Sequence, residues 1–335
     1  MSLNVVLCSR VRLARNFADL PFDVSSREDL AAKCVTRTVN AMRATRSDMG
    51  YELLRLRELS EVSAQCIQEC NCISKDLMRN AATAAVMLNH EQGMSIMIGE
   101  EDHLRIQATR RGLDLLSAAS AAFRVDDALS QRLTFAFDEQ LGYLTAYPTN
   151  TGTGMRASLL MHLPMLTRGK KMGQVVQLVA KVGMNIRGVY GEGSEALGNI
   201  YQVSNQVTLG RTEQELIATV TALGNQLCDM EDALRQKALT DGRVALEDVV
   251  YRAWGAMTGA RLMPLNEFYQ HWSNIRLGAA MGLLKLSLPL VDALLDHAQD
   301  AHLCVWAEES LSGAALEEAR ATRIREMLAV GQAMK

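Results

Sequence analysis

At residues 212–215 the chain reads Thr-Glu-Gln-Glu. A threonine followed three residues later by a glutamate can trade hydrogen bonds with the backbone at a helix start. The pattern predicts a long helix from Thr212 to about residue 239, and it divides the chain. Beyond it only helical stretches follow, near 245–258, 266–284, 288–300 and 314–330, punctuated by Gly259, Pro264 and Pro289. Before it, strand and helix signals alternate. Residues 3–15 and 94–98 read as strands, and 133–147 as two strands around the Gln140-Leu141-Gly142 step. Residues 26–46, 112–122 and 175–184 read as helices, a strand leads into the glycine-punctuated stretch from Arg187, and 199–209 alternates like a strand. The expected class is α+β: a mostly antiparallel sheet flanked by helices over 1–228, then an all-α unit over 229–335.

The chain is 335 residues long and 48% hydrophobic, enough for a large core, and its formal charge of −3 offers no general attraction to nucleic acid. No run approaches a membrane span, and the apolar stretch near the N-terminus is too short for a cleavable signal. Seven cysteines, an odd number in a chain of this length, point to a reducing cytoplasm. Cys66, Cys70 and Cys72 cluster in CIQECNC, but no second ligand pair stands at zinc-finger spacing, so they read as ordinary thiols and no metal site is expected. Of the 35 basic residues 27 are arginines. That skew suits a site gripping anions with planar forks.

Five of those arginines lie in four polar segments. Arg10 and Arg12 alternate in CSRVRLAR, so in a strand they share a face. Arg105 follows Glu100, Glu101, Asp102 and His103 in GEEDHLRIQ. Arg156 leaves the loop PTNTGTGMR, and Arg187 and Glu192 flank the glycines of RGVYGEGSE. Converging guanidinium groups repel, so a polyanion such as a nucleoside triphosphate should lie between them. Neither a P-loop nor a dinucleotide fingerprint is present, so an arginine clamp would replace both. The glycines of 152–154 and 188–193 suit loops that close over a ligand. Carboxylates beside a triphosphate need a cation, either Mg²⁺ or a guanidinium or ammonium substrate.

CSRVRLARNFADLPF, GEEDHLRIQ, PTNTGTGMRAS and RGVYGEGSEALGNIYQVSNQVTLG resemble signature segments of the ATP:guanidino phosphotransferases. GEGSEALGNIYQVSNQ, VVYRAWG (249–255) and SNIRLGAAMGLL (273–284) resemble the bacterial protein-arginine kinase branch. Free-amino-acid phosphagen kinases carry a helical domain before SRVR, which here begins at Ser9, and the following helical unit resembles the protein-directed enzymes. The resemblance implies ATP and Mg²⁺ as cofactors and phosphoryl transfer to arginine side chains of proteins. It assigns ATP binding to Cys8, Ser9, Arg10, Val11 and Arg12, to Asn71 and Arg105, to Arg156, Ala157, Ser158, Leu159 and Leu160, and to Arg187, Gly188, Val189, Tyr190, Gly191 and Glu192. Glu101 and Glu192 would hold the substrate guanidinium, with Arg105 catalytic and Glu100 on the substrate side. A guanidinium is a poor nucleophile, and a carboxylate can orient it and accept its proton. The resemblance further implies a zinc-binding activator, an ATP-dependent protease acting on the marked proteins, and a homodimer.

Three positions depart from the family. Tyr147 stands where a cysteine precedes Pro-Thr-Asn; it is larger, and phenols are neutral near pH 7. Asn71, in ECNCIS, replaces a histidine near the nucleotide. Near the C-terminus, LEEARA stands in place of an RDxxRA phosphoarginine pocket: Leu316 and Glu317 replace its Arg-Asp pair and Arg320 remains, so the pocket is expected to be degenerate. Two other readings stay open: a non-catalytic nucleotide-binding adaptor of the same fold, and a free-arginine kinase.

Overall fold

The computed structural model describes residues 4–24, 27–190 and 196–333. An eight-stranded sheet organises them, in the order β2-β3-β4-β5-β1-β8-β10-β9, and every neighbouring pair is antiparallel. Its strands are β1 (Val6–Arg15), β2 (Glu52–Arg55), β3 (Ala85–Asn89), β4 (Met94–Ile98), β5 (Leu104–Arg111), β8 (Met155–His162), β9 (Met184–Tyr190) and β10 (Ala196–Asn205). A separate two-stranded ribbon joins β6 (Phe137–Asp138) to β7 (Gly142–Tyr143).

Alternation along β1 sorts its residues. Val11 and Leu13 face a large apolar core with Ile106, Ala157, Leu159 and Val203 from the neighbouring strands. Helices α1 (Glu28–Ala44), α4 (Leu115–Ser130) and α7 (Glu213–Asp241) close that side. The other face is covered only at its flanks. Towards β4, α2 (Glu61–Glu69), α3 (Lys75–Arg79) and the turn between them cover the sheet, with Ile73 of the turn and Leu77 of α3 packed against Val86 and Met97. Beside β10, Ile200 joins a second core formed by α8 (Arg243–Gly259), α9 (Leu265–Ala280), α10 (Leu288–His297) and α12 (Ala314–Ala333). Helix α11 (Asp300–Ala307) reaches back to α2, so the two flanks meet above the open middle of the sheet. The short helices α5 (Pro164–Arg168) and α6 (Met172–Lys181) link β8 to β9.

The capping box forms as expected, with Thr212 Oγ1 accepting from Glu215 N and Glu215 Oε2 accepting from Thr212 N. Helix α7 then runs without interruption through residue 228, where the sequence placed a boundary. Its apolar side up to Cys228 belongs to the larger core, and the second core contains nothing from α7. The two strands read over 133–147 shrink to the short ribbon, because Asp138 Oδ1 accepts from the amides of Gln140 and Leu141 and bends the chain early. Among the described residues five helices rather than four follow α7: the stretch read as 288–300 ends at His297, and α11 starts afresh after Gln299.

Candidate active site

Residues directly opposite in an antiparallel pair share a sheet face. Arg12 lies opposite Gln107 on β5 and Arg156 on β8; Arg10 lies opposite Thr109 and Ser158. Arg105 pairs with Ala14, and Arg187 with Gln202, which in turn pairs with Leu160. All five predicted arginines therefore stand on the open face, on strands β5, β1, β8 and β9. Within the predicted nucleotide segments the same alternation selects every second residue. Cys8, Arg10, Arg12, Arg156, Ser158 and Leu160 face the site. Val11, Ala157 and Leu159 lie in the core, and Ser9 donates from Oγ to Gly112 O at 2.7 Å. Gly188 and Val189 line the site. Gly191 and Glu192 lie outside the described residues, as does the side chain of Tyr190.

Little negative charge balances this face. Among the described residues, Arg105 takes both nearby carboxylates, pairing with Glu100 at 2.7 Å and with Glu101. Arg156 Nη2 donates to Ser204 Oγ at 3.1 Å, and Arg10 Nη2 to Gln202 Oε1 at 3.0 Å. The Nε atoms of Arg12 and Arg156 are buried without a hydrogen-bond partner among the described residues. Burial, reinforced by Arg10, Arg105 and Arg156, holds the Arg12 guanidinium well below its ordinary value. Burial and the same crowding, from Arg187, Arg10 and Arg105, lower Arg156. Half-buried cations whose buried Nε donors are unused describe an anion site.

Three hollows run along the face. The middle one, about 370 Å³, is lined by Arg10, Arg12, Arg105, Arg187, Gln107 and Asn71. Arg10, Asn71 and Gln202 also wall a second, of about 370 Å³, between Cys8 and Leu160 on the sheet and Pro289, Asp292 and Asp296 of α10. The third, about 200 Å³, lies at the opposite end, between Arg12, Arg105, Arg156, Glu101 and Tyr147. Asn71 adopts a left-handed backbone (φ 57°), and its carbonyl accepts from Gln107 Nε2 at 2.8 Å. The sequence reading missed Gln107, Gln202 and the α10 wall; the glutamines carry no charge to flag them, and the wall comes from a helix far along the chain.

A buried network sets the small hollow. Asp102 Oδ1 accepts from Asn16 Nδ2 at 2.6 Å and from Ala146 N at 2.7 Å, joining the Glu100–Glu101 turn to the residue before Tyr147. His103 accepts at Nδ1 from Phe17 N, which leaves Nε2 to donate to Pro21 O. Gly152 and Gly154 have φ of 118° and 63°, and a Cβ would stand 2.8 Å from Leu209 Cα and 2.7 Å from Ala14 O. The glycines of the PTNTGTG loop thus let it press against neighbouring backbone, a tighter role than closure over a ligand. Tyr147 is 57% exposed at the rim.

Glu100 does not line the small hollow. It is buried, with Ser74 donating to it and Arg105 paired to it. Burial pushes its carboxyl up to about 7 despite Arg105. The folded state then holds a proton that the unfolded chain releases near pH 4.5, so stability falls as pH rises from about 4.5 to 7. Glu100→Gln should raise Tm at pH 8 and leave it unchanged at pH 4. Melting curves showing equal shifts at both pH values would contradict this.

In the C-terminal stretch Arg320 is buried, donating to Ala298 O and Met263 O at 2.8 Å each and pairing with Asp300. Leu316 and Glu317 are half-buried nearby on α12, and the Glu317 carbonyl accepts from Met263 N. The donors of Arg320 are thus used within the fold.

A sheet face of arginines with a carboxylate-edged hollow at one end is the layout of a phosphotransferase. The family model described as ATP:guanido phosphotransferase, C-terminal catalytic domain, matches residues 33–234, and that of the protein-arginine kinase McsB C-terminal domain matches 243–335. The chain belongs to the ATP:guanido phosphotransferases, in the protein-arginine kinase branch. It is similar to a protein-arginine kinase of Moorella thermoacetica, 41% identical over 330 residues, covering 97% of this chain and 94% of the relative. One from Symbiobacterium thermophilum is 40% identical over 336 residues, covering 97% and 93%. Among solved structures, a lombricine kinase superposes with a TM-score of 0.60 at 24% identity, covering 71% of this chain and 69% of that one, a likeness of fold. No described helix is long and apolar enough to cross a membrane.

Proposed function

We propose that this protein transfers the γ-phosphoryl group of ATP to the guanidinium of arginine side chains in proteins. The observation that carries the reading is the row of arginines, with buried unused donors on Arg12 and Arg156, ending at a hollow edged by Glu101. The nucleoside would lie between the sheet and α10, and the triphosphate along Arg10, Arg12, Arg105, Arg156 and Arg187. The guanidinium would enter beside Glu101 and Tyr147. The attacking nitrogen forms a bond to the γ-phosphorus as the bond to the β–γ bridging oxygen breaks, and a carboxylate takes the nitrogen's proton. Glu101 is that carboxylate, with Glu192 as its partner. The arginines position the phosphates and spread their charge, the main requirements of phosphoryl transfer. Mg²⁺, bound with the triphosphate, would neutralise further charge. Asp76 and Glu101, the members of a nearby acidic cluster that are not buried, are the groups that would hold its water shell.

The test offers Mg-ATP with either an unfolded protein or free arginine, and reads acid-labile phosphoarginine by mass spectrometry. Label on protein supports the proposal. Label on free arginine alone would identify a phosphagen kinase, and ATP binding without transfer an adaptor, the reading that Tyr147 and Asn71 motivate. Tyr147→Cys should raise turnover at neutral pH by roughly threefold or more, because a thiolate complements a guanidinium better than a phenol does. An unchanged or slower rate removes that role from the position. Marking for an ATP-dependent protease, a zinc-binding activator, homodimerisation and a cytoplasmic location complete the proposal, supported by the resemblance to protein-arginine kinases.

A further inference from the structure

One lysine stands among the arginines of the open face. Lys75 lines the middle hollow with Arg10, Arg12, Arg105 and Arg187, and among the described residues no other lysine lines any of the three hollows. It is the first residue of α3, and the backbone on either side of it is anchored. Ile73 and Leu77 are buried against Val86 and Met97. Ser74 accepts at Oγ from Leu77 N at 2.9 Å and donates to Glu100, which pairs with Arg105. The root of the Lys75 side chain is thus tied to Arg105, while the side chain itself is exposed.

Its charge is unanswered. Asp76, next in the chain, pairs with Arg79 at 2.7 Å, and Glu100 and Glu101 pair with Arg105, so the nearby carboxylates are taken. Among the described residues Lys75 makes no ion pair. A further cation on a face already crowded with guanidinium groups adds repulsion that a bound anion would relieve. The hollows also say which part of that anion it would meet. Asn71 is shared by the middle hollow and the one under α10, whereas Arg105 is shared by the middle hollow and the small one beside Glu101. Lys75 does not line the α10 hollow, and its anchor runs through Ser74 and Glu100 to Arg105. It stands at the Glu101 end of the row.

We propose that Lys75 is a further phosphate-binding residue, whose ammonium folds onto the γ-phosphate oxygens once ATP is bound. The inference rests on the nucleotide reading above and adds to it a residue outside the arginine clamp. A compact ammonium on a flexible four-carbon stem suits the task better than a planar fork, because it can follow the phosphoryl group as its bond passes from oxygen to nitrogen.

The experiment measures ATP and ADP affinity by calorimetry for the wild type, Lys75→Met, Lys75→Arg and Lys33→Met; Lys33 is exposed on α1, across the sheet. Lys75→Met should weaken ATP about tenfold, the loss of one charge-assisted hydrogen bond, and ADP by no more than about twofold. Lys75→Arg should restore most of the ATP affinity, and Lys33→Met should change neither. A second arm uses ATP acylated on its γ-phosphate. The Lys75 amine attacks the acyl carbon, an amide forms, the acyl–phosphate bond breaks, ATP leaves and the amine proton passes to water. Peptide mapping should find the label on Lys75, and excess ATP should prevent it. Unchanged ATP affinity in Lys75→Met overturns the inference and leaves the nucleotide site standing. Equal losses for ATP and ADP overturn it too, as does acylation that spares Lys75. A wild type that binds no ATP would sink the proposed function itself, and this inference with it.

Discussion

Glu101→Gln lowers kcat for protein-arginine phosphorylation by about 100- to 10,000-fold, the contribution of a positioned acid–base group, while ATP affinity stays within about threefold. The exchange keeps the side chain's size and removes its capacity to accept a proton. It also removes one of the two carboxylates on Arg105. The other, Glu100, remains paired at 2.7 Å, so this member of the phosphate row keeps its place. The two halves of the result are measured separately, phosphoarginine by mass spectrometry and nucleotide by titration with a fluorescent ATP analogue. Turnover within tenfold of the wild type would remove Glu101 from the chemistry. Equal losses of turnover and ATP affinity would make it a binding residue only.

The second large effect has opposite signs in the presence and absence of ligand. Arg12 is half-buried on the open face with Arg10, Arg105 and Arg156 around it, and its Nε is buried and unsatisfied among the described residues. Without nucleotide that crowding of like charges around a desolvated guanidinium is unfavourable, and an apolar side chain of similar length removes the repulsion. On the proposed function the same guanidinium would make charge-assisted bonds to the phosphates, each worth about 1.5–3 kcal/mol. Arg12→Met should therefore raise the ligand-free Tm by a few degrees and weaken ATP binding by roughly tenfold or more. Differential scanning fluorimetry with and without Mg-ATP reads both signs. A lower ligand-free Tm would show that Arg12 serves the fold rather than the ligand.

Local patterning accounts for what the sequence disclosed. Strand β4 and helix α1 fall where hydrophobic period and length placed them, and Thr212 with Glu215 marked the start of α7 by side-chain chemistry alone. Arg10 and Arg12 could be assigned one face because a strand has period two. The same rule, applied along the whole segment, would have set Ser9, Val11, Ala157 and Leu159 aside. What stayed hidden depends on distant partners. Strands β2 and β3 are short runs whose pairing only the sheet reveals, and Asp102, named in the sequence without a role, gains one where Asn16 and Ala146 close around it. The neighbours of CIQECNC were equally hidden, because His302, which meets Cys70 and Glu69, lies on a distant helix.

Helix α7 carries a mechanical consequence. Its 29 residues make a rod about 44 Å long at 1.5 Å per residue. The rod is seated in the catalytic core at one end, and at the other Glu231 accepts from the amides of Met165 and Leu166 while gripping Arg235. Arg235 in turn donates to Asn4 O, beside the start of β1. Severing the chain at residue 228 would break a shared strut in its middle and leave Glu231 and Arg235, the bolts that hold α5 and the lead-in to β1, on the detached piece.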